Sequence, residues 1–308
     1  MKTLLLVPMV ALGACSTGRG VEGDTGLSGS QTLDYGMLAF STTYVTDTNG
    51  VFIPDDRPWS VAGMYGLTCQ LNMEDGTTGT DLDVAPEKET VVDGLGASVL
   101  IDGDDGFQIV EFPRGGYGDH WTLPIGGQSR LIANGHVDLA YEQGACKVTF
   151  RDAHVAVVEL PAHYCGGSMV ADNEGTVWVG SDASIARVTV AGYSELPIGG
   201  QELAIDRASG TVLAGAVGSD HLTALLADGT ALWSVQFDSP VAGFDTANGL
   251  AVVNLSGVRV GSQVVVLDQA SGDELSRQYA DFAPPGRVTA TADFVAIDSG
   301  SQFDFLRF

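Results

Sequence analysis

The feature that most constrains the fold of this chain is an internal repeat of about 37 residues. TLPIGGQSRLIANGHVDLAY (122–141) aligns with ELPIGGQELAIDRASGTVLAG (195–215), and ELPAHYCGG (159–167) lies halfway between them. The three Leu-Pro pairs start at residues 123, 160 and 196, so their spacing is 37 and then 36 residues. A fixed period of this length is typical of architectures in which each unit buries its apolar surface against the next unit.

Each unit contains four short runs with the pattern of β-strands. The clearest unit, residues 168–198, contains SMVAD, TVWVGS, SIARVTV and YSELPI, separated by the turn residues NEG, DA and AG. These runs are too short for helices and are rich in Val, Ile and Thr. Four antiparallel strands in a unit of about 40 residues predict an all-β protein, a β-propeller. Six recognisable units and the divergent stretch 37–85 predict six or seven four-stranded blades, and we favour seven.

The two ends of the propeller are expected to meet in one blade. The last run, DFVAIDSGSQFDFLRF (293–308), is one strand short of a blade, and MLAFSTTYV (37–45) is the candidate strand that completes it. Such closure removes an exposed sheet edge. The alternative is a tandem of β-sandwiches, which also has short strands and Gly/Asp turns. The constant spacing of the Leu-Pro pairs favours the propeller.

The first fifteen residues, MKTLLLVPMVALGAC, predict an export signal. The apolar run from Leu4 to Leu12 follows one lysine and is too short to span a bilayer permanently. The sequence from Leu12 to Cys15 resembles the lipobox of bacterial lipoproteins. The resemblance implies cleavage of a signal peptide, residues 1–14, and acylation of Cys15. An ordinary secretory signal with an unrelated cysteine is the alternative.

The region after Cys15 predicts a tether followed by one folded body. STGRGVEGDTGLSGSQ is rich in Gly, Ser and Thr and has no apolar periodicity, so residues 15–33 are expected to be flexible. The propeller domain is expected to span residues 34–308. Ser16, rather than Asp, follows the cysteine, and the lipoprotein rule then favours the outer membrane of a bacterial envelope.

The strongly acidic charge excludes several classes of partner. The chain has 14 Lys+Arg against 39 Asp+Glu, a formal charge of −25, and loss of Lys2 with the leader leaves −26. Nucleic acids and anionic membrane surfaces are bound by clustered Lys and Arg, so neither is an expected partner. Contact with a membrane is expected only through the lipid anchor, and the protein is expected to be a monomer.

The cysteines predict one disulfide bond. If Cys15 is acylated, Cys69, Cys146 and Cys165 remain in an oxidising compartment. Cys146 follows the turn between the second and third strands of its blade, and Cys165 follows that blade's fourth strand. Both connections open on the same face of a propeller, which predicts a Cys146–Cys165 disulfide. Three buried free thiols are the alternative, and Cys69 is expected to be a core thiol.

Two segments resemble known propeller repeats. VLDQASGDELSRQ (266–278) resembles the PQQ-like repeat of quinoproteins through Asp268, Ser271 and Gly272, but Ser276 stands where that repeat has Trp. LLADGTALWSVQF (225–237) is similar to the same hairpin and supplies Trp233. DNEGTVWVGSDASIARV (172–188) resembles the NHL, sensor-kinase and streptogramin-lyase propellers. The resemblance covers about residues 160–280 and implies the fold but no catalytic residues.

Candidate ligand-binding residues lie in the predicted connections between blades. His163 and Tyr164 lie in AHYCGG (162–167), and Gln201 and Glu202 lie in GGQEL (199–203). These side chains suit recognition of a polar ligand or peptide; a surface without such a pocket is the alternative. The sequence contains no metal-binding or nucleophile motif and its five histidines are scattered, so we expect no metal, no cofactor and no catalytic residue.

The combined features predict a lipid-anchored envelope protein whose propeller binds or scaffolds an envelope protein or peptide without catalysis. The alternative is a propeller enzyme of the lactonase or streptogramin-lyase type, with its site on the same face. Such an enzyme needs a metal or a histidine beside a carboxylate, and His163 with Glu202 is the candidate pair.

Overall fold

The described part of the chain is built almost entirely of short β-strands. The computed structural model describes residues 37–41, 51–52, 59–64, 67–72, 78–81, 90–96, 98–103, 106–111, 116–123, 126–152, 154–257, 262–280, 286–291, 294–298 and 303–307. Among these residues, no helix is long and apolar enough to cross a bilayer. The predicted signal peptide 1–14, Cys15 and the predicted tether 15–33 lie outside the described residues.

The strands follow one another in short antiparallel hairpins. In chain order they are β1 (Met37–Ser41), β2 (Val51–Phe52), β3 (Trp59–Met64), β4 (Leu67–Asn72), β5 (Thr78–Asp81), β6 (Thr90–Leu95), β7 (Ser98–Gly103), β8 (Gly106–Glu111), β9 (Gly116–Trp121), β10 (Gln128–Ile132), β11 (Gly135–Glu142), β12 (Ala145–Arg151), β13 (Val155–Leu160), β14 (Met169–Ala171), β15 (Val177–Gly180), β16 (Ile185–Thr189), β17 (Gly192–Leu196), β18 (Glu202–Asp206), β19 (Thr211–Gly215), β20 (His221–Leu225), β21 (Ala231–Gln236), β22 (Val241–Ala247), β23 (Leu250–Ser256), β24 (Ser262–Asp268), β25 (Glu274–Ala280), β26 (Arg287–Ala290), β27 (Phe294–Asp298) and β28 (Phe303–Arg307). A 3-10 helix, Ala162–Gly166, connects β13 to β14.

The described strands form seven four-stranded antiparallel sheets. Six of them contain four consecutive strands each, from β2–β5 to β22–β25. The remaining sheet has the order β1-β28-β27-β26, with Met37 opposite Arg307. The prediction that a strand within residues 37–45 completes the last sheet is therefore confirmed. The all-β propeller fold is confirmed as well.

The core lies between neighbouring sheets. Leu139 and Val148, from the sheet β10–β13, belong to one apolar cluster with Val177 and Val179 of the next sheet, and all four are buried. Burying one such side chain stabilises the fold by about 1.5–3 kcal/mol. One sheet alone has no partner for these faces, which is the physical reason for the repeat in the sequence.

Side chains also join the first strand of one sheet to the next sheet. In each case a side-chain oxygen accepts a hydrogen bond from a backbone N–H that the inner strand edge leaves without a strand partner. The bonds run from Leu131 N to Asp93 Oδ2 (2.8 Å), from Met169 N to Gln128 Oε1 (3.0 Å), from Leu203 N to Ser168 Oγ (2.7 Å) and from Ala290 N to Asp245 Oδ2 (2.7 Å). They hold consecutive first strands in register around the axis.

The hairpin that resembles the PQQ-like repeat makes a contact between sheets. Asp268 Oδ1 accepts hydrogen bonds from the N–H groups of Ala270 and Ser271, which forms the turn. Gly272 has a φ of +76°, and a Cβ there would lie 2.8 Å from the Trp233 ring. Trp233 Nε1 donates to Gln269 O at 2.7 Å. Trp233 of the preceding sheet therefore contacts the hairpin 266–278, which has no tryptophan of its own.

Candidate functional site

The first strands of six sheets surround a central cavity, which we call the channel. Its volume is about 1570 Å³, and its lining comes mainly from β6, β10, β14, β18, β22 and β26. The first strand of each of these sheets begins on the face that carries the connections between sheets, because each sheet is an antiparallel meander. We call this face the connection face and the opening of the channel on it the mouth.

Two of the predicted ligand-binding residues, Gln201 and Glu202, line the channel. They lie at the start of β18 and therefore at the mouth. Gln201 O accepts a hydrogen bond from Ser168 N at 2.7 Å, which fixes this part of the rim to the preceding sheet. Partial shielding from water raises the pKa of Glu202, while the charges of Arg287 and Arg130 lower it.

Two arginines share the channel with Glu202. Arg130 lies on β10 and Arg287 at the start of β26, and both residues line the channel. Burial lowers the pKa of the Arg130 guanidinium, whereas nearby Asp93 and Glu202 raise it and Arg207 lowers it further. The mouth therefore presents both signs of charge in a partly desolvated space, where charged groups interact more strongly than in bulk water.

An ion pair crosses the channel between opposite parts of the ring. Arg207 Nη2 lies 2.8 Å from Asp93 Oδ1 and 2.6 Å from Asp93 Oδ2. Arg207 follows β18, whereas Asp93 lies on β6, three sheets earlier. Arg207 Nη1 also donates to Leu131 O at 2.9 Å. Arg207 follows the last residue of β18, so its backbone lies at the end of the channel opposite the mouth.

Asp245 is a half-buried carboxylate at the channel wall. It accepts hydrogen bonds from Ala290 N at 2.7 Å and from Thr246 N at 2.8 Å. Burial raises the pKa of Asp245 to about 7, although these two hydrogen bonds oppose the shift. The nearby carboxylate of Asp206 raises the pKa further, and Arg207 lowers it.

Tyr164 was predicted to contact a ligand, but the structure buries its side chain. Tyr164 is 0% exposed and belongs to the apolar cluster between the sheets β10–β13 and β14–β17. Its hydroxyl is hydrogen-bonded to Ser184 Oγ at 2.8 Å, and burial raises its pKa. Tyr164 is the buried residue of the 3-10 helix Ala162–Gly166. Its ring packs between the two sheets.

His163 is exposed but does not belong to the lining of the channel. Its ring lies against the Tyr164 ring, with the centroids 4.3 Å apart and the planes tilted by 35°. Glu202 does line the channel. The acid-base pair that the sequence offered, His163 with Glu202, therefore does not share one pocket. Among the described side chains, no group of three or more His, Cys, Asp and Glu could hold a metal ion.

The disulfide between Cys146 and Cys165 is present in the structure, with the Cα atoms 5.5 Å apart. Cys146 lies at the start of β12, directly after the β11–β12 turn, and Cys165 lies in the 3-10 helix after β13. This is the arrangement from which the topology of a blade predicts the pair. Cys69 lies in β4, and its side chain is outside the described part of the chain.

Sequence reasoning missed Asp93, Arg207 and Asp245. Asp93 and Asp245 interrupt the apolar runs TVVDGL and VAGFDTA, and a carboxylate in an inner strand is the signal that could have marked them. Buried carboxylates require hydrogen-bond donors or a cation nearby. Arg207, in contrast, follows a strand in an ordinary polar turn and carries no local signal.

Comparisons with known proteins agree with the fold. No family model and no curated protein matches this chain. Among solved structures, it is similar to the β-propeller domain of Cps50 (Swd1) from Myceliophteria thermophila, with a TM-score of 0.66 and 8% sequence identity. The match covers 89% of this chain and 99% of that chain. At this identity the similarity shows the fold alone, and the fold is a β-propeller.

Proposed function

We propose that this protein is a lipid-anchored component of the bacterial cell envelope whose propeller binds another envelope protein or peptide at the mouth, without catalysis. In this proposal Cys15 carries the lipid, the tether 15–33 spaces the folded body from the membrane, and the seven sheets form the seven blades of one ring. The observation that carries the binding function is the mouth, where polar and charged side chains from three sheets line one cavity.

The rim of the mouth is rigid before any ligand arrives. Gln128 donates from Nε2 to Gly167 O at 2.7 Å and accepts from Met169 N at 3.0 Å, which joins β10 to β14. Ser168 then joins β14 to β18 through Leu203 N. A binding surface that is ordered in advance loses less entropy when it captures a partner. The rim therefore favours recognition by contact.

The separation of His163 from Glu202 favours binding over hydrolysis. Acid-base catalysis needs its groups within hydrogen-bond reach of one reacting atom. In this chain the exposed imidazole lies beside Tyr164, and the carboxylate lies in the channel. A propeller enzyme of the lactonase or streptogramin-lyase type remains the alternative for the experiment to test.

The experiment is capture of partners by mild crosslinking in cells, comparing wild type with a Gln201→Ala, Glu202→Ala double variant. We expect the double variant to weaken capture of the main crosslinked partner by about 1–2 kcal/mol per contact residue. Tyr193→Ala is the matched control, since this side chain is 43% exposed on β17, away from the channel. Unchanged capture by the double variant would contradict the proposal. Stoichiometric metal in the native protein, with turnover lost in His163→Ala, would favour the enzyme.

The anchor has a separate test. Cys15→Ala should move the protein from the membrane fraction to the soluble fraction, because acyl chains contribute about 0.8 kcal/mol per buried CH₂. Fractionation of cells with detection of the propeller domain measures this. If the variant stayed membrane-bound, lipidation of Cys15 would not be the anchor.

A further inference from the structure

Arg130 is a half-buried charge that makes few hydrogen bonds to the protein. Among the residues that the structure describes, its guanidinium makes one hydrogen bond, from Nη1 to the neighbouring Ser129 O at 2.7 Å. A guanidinium has five N–H donors in a planar fork that matches a carboxylate. The residue nevertheless lines the channel instead of extending into bulk solvent.

The carboxylate that could satisfy Arg130 is already occupied. Asp93 receives both Nη2 contacts of Arg207 and, in addition, the hydrogen bond from Leu131 N. Its charge is therefore compensated by Arg207. Glu202 interacts with Arg130 through its charge but makes no ion pair within 4.0 Å in the described part of the chain. A partly desolvated arginine with few protein partners is stabilised strongly by hydrogen bonds to a negatively charged oxygen of a ligand.

The size of the channel indicates what carries that oxyanion. A volume of about 1570 Å³ exceeds the roughly 300–1,000 Å³ of ordinary small-molecule pockets. A cavity of this volume has room for an extended peptide segment. Gln201 and Glu202 lie on the rim, where they can bond the amides of such a chain.

We infer that the channel mouth binds a peptide carboxylate, which forms a forked pair of hydrogen bonds with the Arg130 guanidinium while the adjoining peptide lies against Gln201 and Glu202. The carboxylate belongs either to a Glu or Asp side chain or to the C-terminus of the partner. This inference rests on the proposed function and names the ligand chemistry of the same mouth. The negative charge of the whole protein acts over a longer range and is screened at physiological salt, whereas the contact with Arg130 is direct.

The test uses three synthetic peptides and isothermal titration with the purified folded protein. Acetyl-Ala-Gly-Glu-Gly-Ala-amide carries only a side-chain carboxylate, acetyl-Ala-Gly-Gln-Gly-Ala with a free C-terminus carries only a terminal one, and the Gln peptide amide carries neither. We expect at least one acidic peptide to bind at least about tenfold more tightly than the neutral peptide. The peptide that does so identifies the source of the carboxylate.

Arg130→Gln should remove this preference for the acidic peptide, and Arg130→Lys should retain part of it, because lysine keeps the charge without the fork. Arg277→Gln is the matched control, since it removes one arginine from the outer strand β25, where it pairs with Glu274. It should bind the peptides like wild type. Thermal melting of each variant checks that it is folded.

Equal binding of all three peptides, absence of binding, or an unchanged preference in Arg130→Gln would overturn the inference. Those results would leave the proposed function standing if the Gln201→Ala, Glu202→Ala variant still loses its crosslinked partner. If the Gln201→Ala, Glu202→Ala variant keeps its crosslinked partner and Arg130→Gln keeps the peptide preference, both the inference and the proposed function are overturned.

Discussion

Arg207 and Asp93 are separated by 114 residues in the chain and form a two-fold hydrogen-bonded ion pair across the channel, at 2.6 and 2.8 Å. Their side chains are only 18% and 14% exposed. The pair connects sheets on different sides of the ring, so it ties together strands that make no hydrogen bond with each other. It therefore stabilises the closed ring rather than a single sheet.

Replacing Arg207 with Met should lower the free energy of unfolding by about 3 kcal/mol, because the Asp93 carboxylate is left largely buried without its cation. Chemical denaturation measures the change. Asp93→Asn in the same chain should recover part of the loss, since no charge is then left unpaired. Arg277→Gln, which breaks exposed pairs with Glu274 and Asp238, should cost less than about 1 kcal/mol. Equal effects of the two arginine variants would contradict this account.

Breaking the Cys146–Cys165 disulfide should destabilise the fold. The bond closes a loop with a sequence separation of 19, for which the loss of chain entropy in the unfolded state corresponds to about 3 kcal/mol. Cys165→Ala should lower the melting temperature, and a reductant should lower the wild-type value in the same direction. The reductant should have no further effect on the variant. A variant as stable as oxidised wild type would show that the bond does not stabilise the fold.

Tyr164 should act on stability rather than on capture of a partner. Tyr164→Phe removes the hydrogen bond with Ser184 and should cost about 1 kcal/mol. Tyr164→Ala also empties a fully buried site and should cost about 3–5 kcal/mol, as for other large-to-small aromatic changes. Tyr193→Ala, at an exposed position, should change the free energy of unfolding little. Loss of partner capture by a stable Tyr164→Phe variant would instead assign the hydroxyl to binding.

Asp245 should make the folded protein less stable as the pH rises through the neutral range. Burial raises its pKa to about 7 in the folded state, against about 3.9 in an unfolded chain. The folded state therefore binds the proton more tightly. Its stabilisation is fully present below about pH 4 and is lost progressively as the pH rises toward 7 and beyond.

Denaturation at about pH 5 and about pH 8 measures this slope, and Asp245→Asn should make it smaller. Asn keeps one carbonyl oxygen for the N–H of Ala290 or Thr246, so the variant is expected to be somewhat less stable at acidic pH. The general repulsion between the many acids of the chain remains in both proteins, so the difference between their slopes isolates Asp245. Parallel slopes would show that Asp245 does not titrate in this range.

The local sequence pattern was sufficient to predict the strands of one blade. SMVAD, TVWVGS, SIARVTV and YSELPI correspond to β14, β15, β16 and β17, with bounds that differ by one to a few residues. Alternating apolar residues and Gly- or Asp-containing turns act over a few neighbours, so they can be interpreted without knowledge of the ring. The Cys146–Cys165 pair followed from the same blade topology.

The orientation of Tyr164 and the partners in the channel could not be predicted in this way. The sequence places Tyr164 in a connection, and connections are usually exposed, but this one turns inward over the seam between two sheets. Gln201 and Glu202 line the channel together with Arg130 and Arg287, which come from two other sheets of the ring. Which residues become neighbours in the channel depends on the number of sheets between them and on the curvature of the ring.

By itself, then, the sequence determined the features that short-range patterns mark: a repeated four-stranded unit, and a disulfide between a blade and the connection that follows it. The repeat also predicted the N-terminal strand that completes the last sheet, because the last unit is one strand short. The tertiary structure alone decided which charges meet. Asp93 and Arg207 lie in unrelated local patterns, and closure of the ring brings them together across the channel. The physical reason is that strand formation is governed by short-range periodicity, whereas ion pairs between distant sheets require the packing of every sheet between them.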